Sequence, residues 1–528
     1  MKTNKLFVFA YATLLTLFLA PYLFIFSQIL YTGQEMPVYD NIPLLLTNTF
    51  IYCAASALFA LLIGIFMGYM LFRVHFPGRK LAKYIAVVAI AIPSHIQISA
   101  WIGFFGRSGI LTPYLQTILP NFSLYNIYGC IWISAWAYAP LATICCGVML
   151  HNIDEKIEIE ATTYRSPIFV FLSVLLPLIK KNLLLLFSCL FFLIFADVKV
   201  TDVLGFQNTL TQKIYLLFNI YYQPQLALSL CIPGFVLLAF FIAAIKSLRP
   251  AMFHTTQHKF LYHLGKWKLL FVSITFVILC CYWLALPILI YITQSFEKFY
   301  TVFQAIDSEI VHSLYICTLS TTMIVVLATP LAWYIKRVPK SFFVTYTVGA
   351  LLWLAFIPGP IAGIATVRIV SFLSSLPIVG DFFYFCQDTS VVLVWALTAK
   401  FLPVGIMFMY FTISQITPRW EILSAIDGHS TWQTFFRVVL PICKRQMAFC
   451  GAIIFIFCMG ETIISTLVIA PGTTTLAIRI LTLIHNGARA DLSAASLWFL
   501  VVIFCIVAII FAYNSQNKIL TTNRKNIL

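Results

Sequence analysis

Apolar residues run in blocks of about 20 or more, separated by short clusters of polar and basic residues. Such a block, wound as a helix, crosses a hydrocarbon core of about 30 Å. The pattern predicts spans at residues 6–30, 49–72, 82–106, 126–150, 182–204, 224–246, 268–293, 312–335, 342–367, 390–413, 447–470 and 491–513, about twelve in all. The blocks are continuous and do not alternate, which excludes a transmembrane barrel. The first follows a short basic start and exceeds a signal-peptide core of about 7–15 residues. It lacks a small-residue cleavage site and reads as an uncleaved span.

Composition agrees. Hydrophobic residues make up 62% and charged residues 9%, against about 25% charged in an ordinary globular protein. So few charges cannot coat soluble domains, and a soluble enzyme, a disordered scaffold and a secreted disulfide module are excluded. The expected fold class is an all-α membrane protein. The net charge of +16 comes from 33 basic and 17 acidic residues. With a cytoplasmic N-terminus, 25 of the 33 fall in inside segments and seven outside: Arg107, Lys199, Lys213, Lys298, Arg368, Arg479 and Arg489. Lys400 remains within a span. This bias sets the orientation, with both termini cytoplasmic, and explains the basic balance without nucleic acid. The 14 cysteines lie mostly inside apolar blocks and form no C-x-x-C, so they read as small buried residues.

The chain repeats itself. Ile92-Pro93 recurs as Ile357-Pro358, Trp132 and Pro140 as Trp395 and Pro403, Leu176-Pro177 as Leu440-Pro441, Asp197 as Glu461, and Thr209-Leu210 as Thr475-Leu476. The offsets stay between 263 and 266. Six spans per half is an even number, so the halves share one orientation, as two parallel six-helix repeats about an axis along the membrane normal. The expected division is a first half at 1–246, a basic linker at 247–267 and a second half at 268–528. The linker holds His254, His258 and His263; H-T-T-Q-H lacks the Glu of a zincin motif, and a cytoplasmic tether explains its polarity.

The longest cytoplasmic loops besides the tether are 151–181 and 414–445. Both mix acid, base and apolar residues at helical spacing and close on Leu-Pro. In the second, a short amphipathic helix is expected to turn near Gly428, since Gly tolerates a left-handed cap. A second helix then presents Trp432, Phe435 and Phe436, and Pro441 sets the start of the next span. A helix-turn-helix on the cytoplasmic face is a docking knob for a soluble partner.

These loops resemble the Glu-Ala-Ala signature of binding-protein-dependent ABC importer permeases, which runs on to a Gly and a Leu-Pro. In the second loop Asp427, Gly428, Val438, Leu440 and Pro441 stand in register, Glu421 is one place early, and Ile422-Leu423-Ser424 replaces the Glu-Ala-Ala. In the first, Glu158, Val174, Leu176 and Pro177 are in register, Ile159-Glu160 replaces Ala-Ala, and Tyr164 replaces the Gly. A further stretch, Gly460-Glu461, Leu467 to Gly472, Thr475-Leu476, Arg479-Ile480, His485 to Ala488 and Ala494-Ala495, is similar to the second half of fused two-half ferric-iron permeases, with thiamine, polyamine and phosphonate permeases as relatives. The resemblance implies the type I importer permease fold in a bacterial inner membrane. It implies two ABC ATPase subunits, one under each loop, and a soluble substrate-binding protein outside. No G-x-x-x-x-G-K-[ST] occurs, so the chain is expected to be a transport subunit, not an enzyme. It would carry no cofactor of its own, with ATP and Mg on the partner subunits.

Candidate pathway residues are Pro93 and Pro358, which interrupt spans; Asp197 and Glu461, placed at the outer ends of spans five and eleven; and Lys400 near the middle of span ten. A mid-span Lys costs about 2.5–3.5 kcal/mol and is expected to face the bundle interior, on a carbonyl freed near Pro358 or on Glu461. His95 reads as a hydrogen-bonded packing residue. A carrier of the major-facilitator type is the rival, disfavoured because the spans are nearly free of mid-depth carboxylates; a membrane enzyme would need His or Asp clusters that are not seen.

Overall fold

The structure, a computed structural model, describes residues 5–31, 41–107, 109–247, 261–262, 265–337 and 342–525. The protein is an all-α, multi-pass membrane protein. Without water to satisfy backbone groups, helices are the solution open to such apolar blocks. Among the described residues nine helices are long and apolar enough to cross a membrane, or up to 11 if each of two bent pairs is one span.

In chain order the main helices are α1 (Lys5–Tyr31), α2 (Ile42–Arg73), α3 (Arg79–Ile90), α4 (Ser94–Phe105), α5 (Ile127–His151) and α6 (Glu155–Tyr164). They continue with α7 (Pro167–Ala196), α8 (Pro224–Ser247), α9 (Lys266–Ser295) and α10 (Phe299–Arg337). The last are α11 (Phe342–Phe356), α12 (Gly359–Ser374), α13 (Val391–Ser414), α14 (Arg419–Ile426), α15 (Thr431–Met459) and α16 (Arg489–Lys525). Starts recur at a spacing of 264: Ile127 and Val391, Glu155 and Arg419, Pro167 and Thr431. In the first set α2, α5 and α7 pack together, and in the second α10, α13 and α15. The approach of α2 to α5 depends on small residues: a Cβ on Gly64 would meet the Cβ of Ala142 at 2.5 Å.

Several expected spans change shape. The segments at 82–106 and 342–367 are not kinked single helices. The chain breaks at Pro93 and Pro358 and turns by 101° and 109°. Each proline lies in extended backbone as the N-cap of the following helix, where its missing N–H costs nothing. The spans expected at 182–204 and 447–470 start and end earlier, because the second helix of each loop runs unbroken into the membrane as α7 or α15. Pro177 and Pro441 therefore lie inside a helix, not at its start. A five-residue π turn precedes each, at Phe171–Leu175 and Phe435–Val439, and a third, Cys281–Ala285, precedes Leu286-Pro287. The N–H groups of Leu176, Leu440 and Leu286 bond five residues back. The wider turn absorbs the clash between a proline ring and the carbonyl four residues earlier.

The first helix of each set packs on the bent pair of the other. α1 lies on α11 and α12, with Phe24 and Phe372 at 4.9 Å, and α9 lies on α3 and α4. There Tyr291 donates to the Ile96 carbonyl and shares a 2.5 Å hydrogen bond with Ser99. The 14 cysteines are free thiols. His254, His258 and His263 lie outside the described residues.

Candidate functional site

Each of the two loops, 151–181 and 414–445, begins with a short helix fixed by an ion pair to the end of a long one. Glu158 on α6 meets Arg73, the last residue of α2, at 3.0 Å with both side chains fully buried. Arg73 also donates to the Leu150 carbonyl at 2.6 Å. Glu421 on α14 meets Arg337, the last residue of α10: Nε lies 2.9 Å from both carboxylate oxygens and Nη2 gives a further contact. The indole of Trp333 donates to the same carboxylate at 3.3 Å. Paired guanidinium bonds of this kind are strong and directional. Tyr69 packs on Phe171 with tilted rings 4.6 Å apart, as Trp333 does on Phe435 at 5.2 Å.

The turns differ. After α14, Asp427 leads to Gly428 at φ +79°, the left-handed position expected of it, and Ser430 opens α15 with a capping box closed by Gln433. The first loop uses no left-handed residue. α6 ends at Tyr164, Arg165 is extended at φ −140°, and Pro167 starts α7. Both loops expose apolar side chains: Ile157, Tyr164 and Ile168 in one, and Trp420, Ile422 and Ile426 in the other. Leu176 and Leu440 are half-buried, and Pro177 and Pro441 exposed, just after the π turns.

The inner ends of α7 and α15 meet a central cavity of about 250 Å³ lined by Pro93, Tyr138, Asp197, Lys199, Lys400 and Glu461 among others. Asp197 caps α7 and accepts from Ser94 at 2.7 Å and Tyr138 at 3.0 Å. Tyr138 lies midway along α5, so Asp197 is at mid-depth and not at an outer end. Glu461 follows α15, accepts from the Ile464 N–H at 3.2 Å, and would lie 3.7 Å from a Cβ on Gly359 at the second break. It too is therefore central. Both stand away from the expected outer ends for one reason: α7 and α15 start and end earlier in the chain than the spans expected there, so their ends stop level with the middle of the neighbouring helices.

Lys400 donates to the Ile357 carbonyl at 2.5 Å, the group freed by the break at Pro358. Pro358, unlike Pro93, is not among the residues that line the cavity. At the first break the corresponding Ile92 carbonyl accepts from Gln97 at 3.3 Å. Lys199, expected outside, is also central: it is 3.8 Å from Asp197 and donates to the Gly460 carbonyl at 3.1 Å, joining the two sets of helices. That carbonyl closes the negative end of α15, a favourable seat for a cation. His95 is fully buried against Phe499, and among the described residues neither ring nitrogen has a hydrogen-bond partner, contrary to expectation. Ser94, not His95, is the residue that faces the carboxylate. Among the described residues no three His, Cys, Asp or Glu side chains gather as a metal site.

Sequence reasoning missed Arg73 and Arg337, which were read only as inside charges. They lie 264 residues apart, and the repeat offset applied to basic residues would have found them. It also missed Ser94, Tyr138 and Lys199 as neighbours of Asp197, for which only the fold gives a signal.

No family model matches the chain. The chain is 21% identical over 455 residues to the Fe(3+)-transport system permease protein FbpB 2 of Haemophilus influenzae, a match covering 83% of each chain.

Proposed function

We propose that the chain is the membrane permease of an ATP-driven ABC importer. It would move ferric iron, handed over by a soluble binding protein, into the cytoplasm across a bacterial inner membrane, with both termini cytoplasmic. In this reading residues 1–246 and 268–528 are two fused permease halves and 247–267 is their cytoplasmic tether. The observation that carries it is the pair of like-built loops. Each holds a short helix by an Arg–Glu pair, exposes apolar side chains and continues as one helix to the central cavity. Two such loops suit two ABC ATPase subunits, and a rigid helix from each would carry their motion to mid-depth. Ferric iron is favoured over thiamine, polyamines and phosphonates by the iron permease to which the chain is similar.

One observation favours a second reading. Asp197 and Glu461 sit at mid-depth, where a proton-coupled carrier keeps its acids, so scarcity of such acids no longer argues against a carrier. The test is reconstitution into liposomes with the cognate ATPase and binding protein, following radioactive Fe(III). Uptake is expected only with ATP and the binding protein, and undiminished by excess thiamine, spermidine or phosphonate. Uptake driven by a proton gradient without ATP would overturn the proposal in favour of the carrier.

A further inference from the structure

The two docking loops share a frame but are not held in the same way. Glu421 receives both Arg337 and the indole N–H of Trp333, one turn earlier on the same helix. The residue 264 positions before Trp333 is Tyr69, likewise one turn before its arginine. A tyrosine there keeps the aromatic packing on Phe171 but supplies no indole N–H.

Another residue reaches the place. Tyr262, from the segment joining the two halves, pairs its main chain with the end of α2. Its N–H donates to the Arg73 carbonyl at 2.8 Å, and its carbonyl accepts from the His75 N–H at 3.0 Å. The last carbonyls of a helix lack internal partners, and this pairing satisfies one of them. Tyr262 is buried, its ring is 6.2 Å from that of Tyr69, and its phenol is near enough to feel the charge of the Glu158 carboxylate. Burial first, then the Glu158 carboxylate, push the phenol above its ordinary range, so it remains a proton donor.

We infer that Tyr262 is a positioning residue for the first docking loop, giving Glu158 the second donor that Trp333 gives Glu421. The linker is then more than a tether. It fixes the first loop from outside its own half, whereas the second loop is fixed from within. Lys266 begins α9 only four residues later, and α9 packs on α3 and α4. The first loop is thus tied through one short segment to the exchanged helix of the second half. The inference rests on the reading of these loops as motor-docking surfaces.

Hydrogen exchange on the purified full-length permease in lipid nanodiscs tests it. Tyr262→Phe keeps the ring and the main-chain pairing and removes only the hydroxyl. Amides of 155–165 are expected to exchange about tenfold faster, as for loss of one hydrogen bond to a charged group, with 419–427 unchanged. Adding Tyr69→Trp to Tyr262→Phe installs the second loop's arrangement and should restore slow exchange at 155–165. General loosening would not be rescued in this way. No change at 155–165, equal acceleration of both loops, or no rescue by Tyr69→Trp would each overturn the inference. The measurement needs no motor subunit. If ATPase subunits bind neither loop while the exchange pattern is as expected, the importer reading fails and the positioning role stands.

Discussion

Arg73 and Arg337 do the same task in different surroundings, and their substitution should separate the two. The Arg73–Glu158 pair is fully buried, while the Arg337 and Glu421 side chains keep 13% and 12% exposure. Removing one partner of a buried pair strands a charge, at a cost of about 3–5 kcal/mol. Arg73→Met is therefore expected to lower the thermal midpoint of the purified permease markedly, and Arg337→Met less. Arg73→Met with Glu158→Leu should recover most of the loss. Equal midpoints for the two single variants would contradict this account. Lys400 poses a different question, because its ammonium serves the Ile357 carbonyl in the wall of the cavity that Glu461 also lines. Lys400→Met leaves a buried carbonyl without its donor, worth about 1–3 kcal/mol, too little to unfold a protein of this size. Fe(III) uptake should fall by about tenfold or more while the amount of folded protein in the membrane is unchanged. Normal uptake by this variant would remove Lys400 from the pathway.

At the scale of elements, the π turns and the left-handed glycine have separate jobs. The π turns let α7 and α15 pass a proline without breaking, so each docking loop and its share of the cavity belong to one rod. Gly428 lets α14 fold back on that rod. A Cβ there would meet nothing within 4 Å, so the cost of a side chain is in the backbone alone, about 1–2 kcal/mol for a left-handed L-residue. Gly428→Val is expected to uncouple ATP hydrolysis from uptake, or to release the motor subunit, in the reconstituted complex. Tyr164→Val, in a turn made by extended backbone, should leave the ratio of uptake to hydrolysis near that of the parent protein. Full uptake by Gly428→Val would show that the turn is not part of the coupling.

At the scale of the molecule, one chain carries both loops, and α1 and α9 are each committed to the bent pair of the other set. If the loops dock motor subunits as proposed, one chain supplies both surfaces. The mass of the detergent-solubilised complex should correspond to one permease and two ATPase subunits; two permeases per two motors would refute the fused arrangement. The cross-set contact from Lys199 to the Gly460 carbonyl lies where the two rods end, so it should break and re-form as the halves move.

Much of this was legible in the chain before any coordinates. Apolar blocks of helical length determine an all-α membrane protein, because the bilayer allows few other solutions. The repeated Leu-Pro closures and the glycine at 428 place two helical loops, with a left-handed turn at Gly428 in the second, since those residues constrain the backbone wherever they occur. The depth of Asp197 and Glu461 was not legible. Hydropathy measures how long an apolar run is, not where its helix begins or whether a proline bends it or turns it by about a right angle. Nor could the sequence say that Lys199 faces Gly460, that Arg73 meets Glu158, or that the main chain of Tyr262 pairs with the end of α2. Those pairings join residues far apart in the chain, and which charge neutralises which is decided only when the helices pack and bring those groups within reach of one another.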